Sequence, residues 1–368
     1  MTAPSVTPNP SARNTVRSLV ASQIREVANA GMGDPDILAF WFGEPDEVTP
    51  GYIRDTGIAA IAAGETFYTQ NFGIPELRAA LASYVSRLHR PVSADRIAVT
   101  ASGMSALMLA TQALVNPGHR VVCVTPLWPN LTEIPKILGA EVTRVALRFD
   151  RGGWTLSADE QQAILGHCRK HGIWIIADDV YERLYYAGAE AGDACAPSFL
   201  DIAAADDRLV STNSFSKAWL MTGWRLGWIV APPALMADLG KLIEYNTSCS
   251  PVFVQRAGVV AIEHGEPTVA HTLSRFRKAR DQLTLALSSM PRVETALPAG
   301  AMYAFFRVEG VSSSLDFCKQ LVHDAKLGLA PGSAFGPEGE GFVRWCFAAS
   351  EERLAEGIAR LSSYLQRG

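Results

Sequence analysis

Lys217 sits in the run Ser214-Phe215-Ser216-Lys217, and Arg225 follows eight positions later in Thr222-Gly223-Trp224-Arg225. The lysine lies between two apolar strand-like runs, Leu209–Thr212 and Leu226–Ala231. Desolvation and a nearby guanidinium both lower an ammonium pKa and free the amine to attack a carbonyl. An ordinary lysine is a surface charge, so the neighbourhood carries the inference. Asp178-Asp179-Val180-Tyr181 closes the apolar run Ile173–Ala177. Carboxylates there need a partner such as a protonated ring nitrogen, unless the turn is simply solvated. Arg344 interrupts the apolar strand Phe342–Phe347. It suits a bidentate carboxylate, from a ligand or from a structural ion pair. Trp128, between Pro126 and Pro129, is either a stiff stacking face or a core side chain. Ala101-Ser102-Gly103-Met104-Ser105 leads into a helix, as an anion-binding turn or an ordinary capped one.

These residues follow apolar runs, so the runs must place them. Ile97–Thr100, Arg120–Thr125, Val142–Leu147, Ile173–Ala177, Leu209–Thr212 and Leu226–Ala231 read as strands. They alternate with helix-period segments such as Ser105–Leu114 and Leu131–Leu138. That pattern predicts an α/β fold: a mostly parallel sheet with helices on both faces and ligands beyond the strands' carboxyl ends. Ser157 to Glu160 reads as a capping box for a helix ending near Gly172, and Ser350 opens the C-terminal helix. Pro267–Leu287 reads as one long helix, and Met302–Val308 and Phe342–Ala348 as β segments of a smaller α+β unit. The expected division is an N-terminal segment over 1–50 packing with the small unit, a large domain over 51–265 and a small domain over 266–368. A helix is expected over Ser18–Ala30.

The 368 residues carry a net charge of -4, which argues against a nucleic-acid surface. No apolar run is long enough to span a bilayer. The opening MTAPSVTPNPSA has no apolar signal core, and the six scattered cysteines show no paired spacing, so a cytoplasmic location with reduced thiols is expected. The histidines form no recognisable metal pattern, and no strand exit carries the glycine fingerprint of a dinucleotide site.

Taken together, SFSKAWLMTGWRLGW resembles the lysine segment of the class I/II aminotransferases, the aspartate aminotransferase-like, fold type I enzymes of pyridoxal 5′-phosphate. FGEPDEVTP, YTQNFGIPELR, PLWPN, ADDVYE, PAGAMYAFF, PGSAFG and VRWCF resemble the family's other blocks, in order, over nearly the whole chain from about residue 15. The resemblance implies that Lys217 bonds the cofactor and moves the proton at the substrate Cα. Asp178 would face the pyridine nitrogen, Tyr181 the phenolic oxygen, and Trp128 the ring face. Ser102, Gly103, Met104, Ser214, Ser216 and Arg225 would hold the phosphate. Arg344 would clamp the substrate carboxylate, with Gly43 nearby. Tyr68 would reach the phosphate in a neighbouring subunit, implying a homodimer. The implied reaction moves an amino group between an amino acid and a 2-oxo acid.

One block departs. Between PLWPN and ADDVYE the family has a further strand ending in an Asn-Pro-x-Gly turn, whose asparagine bonds the phenolic oxygen. Here Val142–Leu147 runs through residues 148–154 straight to Ser157. The expectation is that a short helix and a strand have been lost near residue 152. The flanking strands must then pair with each other or leave backbone groups unpaired. Losing a buried hydrogen bond to a charged group costs roughly 1.5–3 kcal/mol, so activity would be impaired. The alternatives are a β-lyase on the same site and a non-catalytic deletion variant. A regulator is disfavoured because neither end shows a basic helix-turn-helix.

Overall fold

The computed structural model describes residues 11–150, 153–186 and 195–367. The first ten residues of the polar lead-in, and Arg151 and Gly152 of the junction, lie outside the described residues. In chain order the first strands are β1 (Leu38–Ala39), β2 (Ile97–Thr100), β3 (Arg120–Thr125), β4 (Glu141–Ala146), β5 (Phe149–Asp150), β6 (Gly153–Trp154), β7 (Ile175–Asp178), β8 (Leu209–Ser214) and β9 (Gly227–Val230). The remainder are β10 (Val293–Glu294), β11 (Tyr303–Val308), β12 (Leu327–Gly328), β13 (Ala330–Pro331) and β14 (Phe342–Cys346).

The runs β2, β8 and β9 are buried along their whole length, as strands covered on both faces must be. They form one sheet in the order β2-β9-β8-β7. β7 and β8 are parallel, whereas β9 runs antiparallel to β8 and β2. Residues 215–226 return the chain without the crossover helix that a parallel connection needs. Side-chain alternation sends Ala98, Val210 and Ile229 to one face, against helices Gly103–Leu114 and Pro233–Asn246. Val99, Trp228 and Val230 go to the other, against helices Pro75–Leu88 and Val252–His264.

β3 and β4 form a separate parallel pair. Among the described residues neither β3 nor β7 has a second ladder partner, so the strands flanking the junction do not pair with each other. Val122 and Val145 on this pair are 63% and 51% exposed, unlike the buried side chains of β8 and β9. The junction itself is the antiparallel hairpin β5–β6. Its Phe149 and Trp154 pack on Phe342 of β14, with ring centroids 5.2 and 5.6 Å away.

The C-terminal part is the antiparallel sheet β10-β11-β14-β13, backed by helices Glu266–Ser289, Ser314–Ala325 and Glu351–Leu365. Phe276, Leu283, Phe306, Trp345, Leu354 and Leu361 form its core, and Ile24, Val27 and Ala28 join them. Of the helix expected over Ser18–Ala30 only Gln23–Asn29 is helical, and a separate short helix, Asn14–Arg17, precedes that range. Ser22 accepts a hydrogen bond from the Arg25 N–H at 3.2 Å, which favours a fresh helix start there. The Ser157–Glu160 capping box forms as expected, and Gly172 ends that helix at φ +64°.

Candidate active site

The exits of β2, β3, β7 and β8 converge with β11 and β14 on a cavity of about 730 Å³. Gly103, Met104, Trp128, Asp178, Tyr181, Ser214, Ser216, Lys217, Arg225, Gly43 and Arg344 all line it. Residues spread over some three hundred positions thus meet because their strands end at the same side of the fold.

At one end the helix Gly103–Leu114 presents its N-terminus, with Ser102 as N-cap accepting from the Ser105 N–H at 3.0 Å. Ser102 is held at φ +145°, a conformation that L side chains rarely adopt, and is buried behind the lining. Ser214 Oγ and Ser216 Oγ are 2.8 Å apart beside it. Gly227 must be glycine: a Cβ there would lie 2.6 Å from both the Asn213 carbonyl oxygen and the Gly103 nitrogen. Arg225 donates to the Thr222 carbonyl at 2.6 Å and makes no ion pair among the described residues. Amide N–H groups, hydroxyls and a guanidinium at a helix start form an anion cup.

In the middle, Lys217 Nζ donates to the Gly43 carbonyl at 2.5 Å. Burial, with the Arg344 and Arg225 guanidinium charges, pulls its pKa from 10.5 down to about 8. Asp178, exposed at the end of β7, lines this cavity; loss of solvation there lifts its carboxyl to about 6, against the Val180 N–H that it accepts and the Lys217 charge. Tyr181 and Tyr303 share a hydrogen bond of 2.5 Å between their hydroxyls, and burial raises both phenols. Gly43 is a close approach as well, since a Cβ would fall 1.8 Å from the Tyr303 hydroxyl.

At the far end Arg344 is 4% exposed within β14. Its Nη2 donates to the Trp41 carbonyl at 2.5 Å, and its Nε has no hydrogen-bond partner among the described residues. The Tyr303, Phe335 and Trp128 rings lie 4.4, 4.8 and 5.9 Å from its guanidinium carbon.

Two predicted residues fall outside the lining. Ser102 shapes the helix start from behind it, and Tyr68 is 88% exposed beside a different groove that includes Phe67 and Arg256. Residues not singled out from sequence also line the cavity: Glu44, Trp154, Thr222, Tyr303, Phe305 and Phe335. Tyr303, Phe305 and Phe335 stood in blocks already noted, PAGAMYAFF and PGSAFG. Nothing local marks which of their aromatics face inward.

The sequence description "Aminotransferase class I and II" matches residues 43–155 and 152–361. The chain belongs to that family. An aspartate aminotransferase of Pyrococcus horikoshii is 29% identical over 94% of this chain and 95% of its own length. One from Thermotoga maritima is 30% identical over 90% of this chain and 92% of its own. A solved aspartate aminotransferase structure from Thermotoga maritima superposes with a TM-score of 0.88 at 27% identity, covering 96% of this chain and all 100% of the other. The two matched stretches meet at the β5–β6 hairpin. The chain is a transaminase of the pyridoxal 5′-phosphate type, with the α/β fold of that family.

The residues present fit that cofactor. The anion cup suits a phosphate, the Asp178 carboxylate a protonated ring nitrogen, and the desolvated Lys217 amine an aldehyde. No helix among the described residues is long and apolar enough to cross a membrane.

Proposed function

We propose that the chain transfers the amino group of amino acids with apolar or aromatic side chains to 2-oxo acids, with Arg344 gripping the substrate carboxylate and Lys217 moving the proton at Cα. Arg344 carries this reading. A buried guanidinium with an unpartnered Nε, facing the same cavity as Lys217, needs an anion, and a carboxylate matches its fork. Among the described residues, the cations lining the cavity are Lys217, Arg225 and Arg344. With the first on the cofactor, the second on phosphate and the third on the α-carboxylate, no cation among the described lining residues remains for a side-chain carboxylate. Phe42, Trp128, Phe305 and Phe335 supply apolar walls instead.

The bound cofactor supplies an aldehyde for the amino group and a ring that draws electrons from Cα. The chain supplies the rest. Gly103 and Met104 N–H groups, Ser214, Ser216 and Arg225 hold the phosphate, with Ser102 fixing the helix start. Asp178 keeps the ring nitrogen protonated, Tyr181 faces the phenolic oxygen with Tyr303 bracing it, and Trp128 covers the ring. The Gly43 carbonyl positions Lys217. Tyr68, exposed and away from its own cavity, reaches the partner's phosphate in a cytoplasmic homodimer. The large unit over 51–265 carries the cofactor, and residues 1–50 with 266–368 close the substrate side. The edges of β3 and β7 that have no ladder partner among the described residues, and the absence of the Asn-Pro-x-Gly turn from the sequence, support a weakened cofactor grip, by roughly 1.5–3 kcal/mol, or about 10–150-fold in Kd.

The test is a donor panel on cofactor-loaded protein with a 2-oxo acid as acceptor. Aromatic and aliphatic donors should exceed aspartate by at least ~10-fold in kcat/KM. Equal or better turnover of aspartate would remove the substrate assignment. Ammonia release without a 2-oxo acid would favour the lyase reading.

A further inference from the structure

Behind the site, His89, Glu182 and Cys195 come together from three separate places. His89 follows the helix Pro75–Leu88, Glu182 follows Tyr181 in the turn after β7, and Cys195 opens the segment leading to Ser198. The His89 and Glu182 side chains are 1% and 5% exposed. His89 Nε2 is 3.1 Å from Glu182 Oε2 and 3.8 Å from Cys195 Sγ, and all three donor atoms lie within 4.8 Å of one another. Tetrahedral zinc, with bonds of about 2.0–2.3 Å to nitrogen, oxygen and sulfur, separates its ligand atoms by roughly 3.3–3.6 Å. The two separations from His89 Nε2 bracket that range, and the third pair lies within 4.8 Å.

The surrounding groups orient the same atoms. His89 Nδ1 bonds Asp201 Oδ1 at 2.7 Å, leaving Nε2 turned to the cluster. Asn213 Nδ2 donates to Glu182 Oε1 at 2.7 Å, leaving Oε2 turned the same way. A carboxylate behind the histidine and a donor behind the carboxylate are the outer-shell supports that metal ligands use.

We propose that His89 Nε2, Glu182 Oε2 and Cys195 Sγ bind a zinc ion. Glutamate and thiolate together balance its two charges. Binding releases the Cys195 thiol proton, and any proton on Nε2, to solvent. The ion ties the turn that carries Asp178 and Tyr181 to the end of the helix Pro75–Leu88 and to the 195–201 segment. The rival arrangement is a purely protonic cluster, with a histidinium between Glu182 and Asp201.

The test uses cofactor-loaded protein, stripped with chelator and titrated with zinc. Zinc K-edge absorption should show one sulfur at about 2.3 Å among nitrogen and oxygen ligands. Cys195→Ser should lose the sulfur signal and Cys249→Ser should keep it. Asp201→Asn should weaken zinc binding ~10–100-fold. The exposed pair His167 and His171, with rings 4.4 Å apart, is a competing zinc binder but offers no sulfur. Zinc bound by wild type without a sulfur neighbour, no uptake at all, or a sulfur signal surviving in Cys195→Ser overturns the site. The readout does not depend on turnover, so it stands or falls apart from the proposed reaction.

Discussion

Replacing Lys217 by methionine should stabilise the cofactor-free protein at neutral pH. The ammonium is held in a largely enclosed site, which pulls its pKa from 10.5 to about 8. Each tenfold loss of proton affinity is worth about 1.4 kcal/mol, so the charged form costs the fold about 3 kcal/mol below pH 8. Between pH 8 and 10.5 the unfolded chain keeps this proton while the native one has lost it, so stability from this group rises with pH across that window and is flat on either side. Methionine has a similar length and no charge. It forfeits the hydrogen bond to the Gly43 carbonyl, which offsets roughly 1 kcal/mol of the gain. The remaining ~2 kcal/mol, with unfolding entropy near 2 cal/mol/K per residue, amounts to roughly 3 °C in Tm for a chain of this size. The assay is thermal unfolding of cofactor-free wild type and Lys217→Met from pH 6 to 10.5. The variant should lead at pH 7 and lose its advantage by pH 10.5. A variant no more stable at pH 7, with the same pH slope as wild type, would refute the desolvated-amine argument.

Arg344→Ala should raise KM for amino acid donors at least ~100-fold, from the loss of a two-point charged grip, while cofactor absorbance stays intact. Gly227→Ala forces a Cβ to within 2.6 Å of two backbone atoms at the anion cup; an overpacking cost of about 1–3 kcal/mol should weaken cofactor Kd ~5–150-fold by equilibrium titration. Asp178 titrates near 6 in the cofactor-free protein, so cofactor affinity should fall as pH drops through 6 in wild type, with a flatter profile in Asp178→Asn. Tyr303→Phe frees the Tyr181 hydroxyl from its 2.5 Å bond and should change kcat more than KM, read by steady-state kinetics.

The strand exits were legible because apolar runs end abruptly in Lys217, Asp178 and Ser102, and burying such groups demands a reason. The helix starts at Ser157 and Ser350 were legible because capping is local chemistry. The Ser18–Ala30 helix was misread, since its period continues through a serine that caps a second helix. Tyr303 and Phe335 gave no local sign of facing the cavity, because which aromatics of β11 and of the turn after β13 point inward is set by packing against Gly43, more than two hundred positions earlier, and Arg344 on the neighbouring strand β14. The same holds for His89, which lies 93 positions from Glu182 and 106 from Cys195. No spacing rule joins such residues. Only the fold does, by bringing the residue that ends the helix Pro75–Leu88 against the turn after β7 and the segment that begins at Cys195.

The central claim is that Lys217 captures the cofactor in a site completed by this chain despite the β5–β6 junction. Its most direct test is the absorbance spectrum of purified protein incubated with pyridoxal 5′-phosphate, before and after an amino acid is added. The expected result is a visible band that Lys217→Ala abolishes and that a donor amino acid converts to the amine form, with a 2-oxo acid restoring it. A folded protein that gives no such band, or a band that persists without Lys217, would contradict the account.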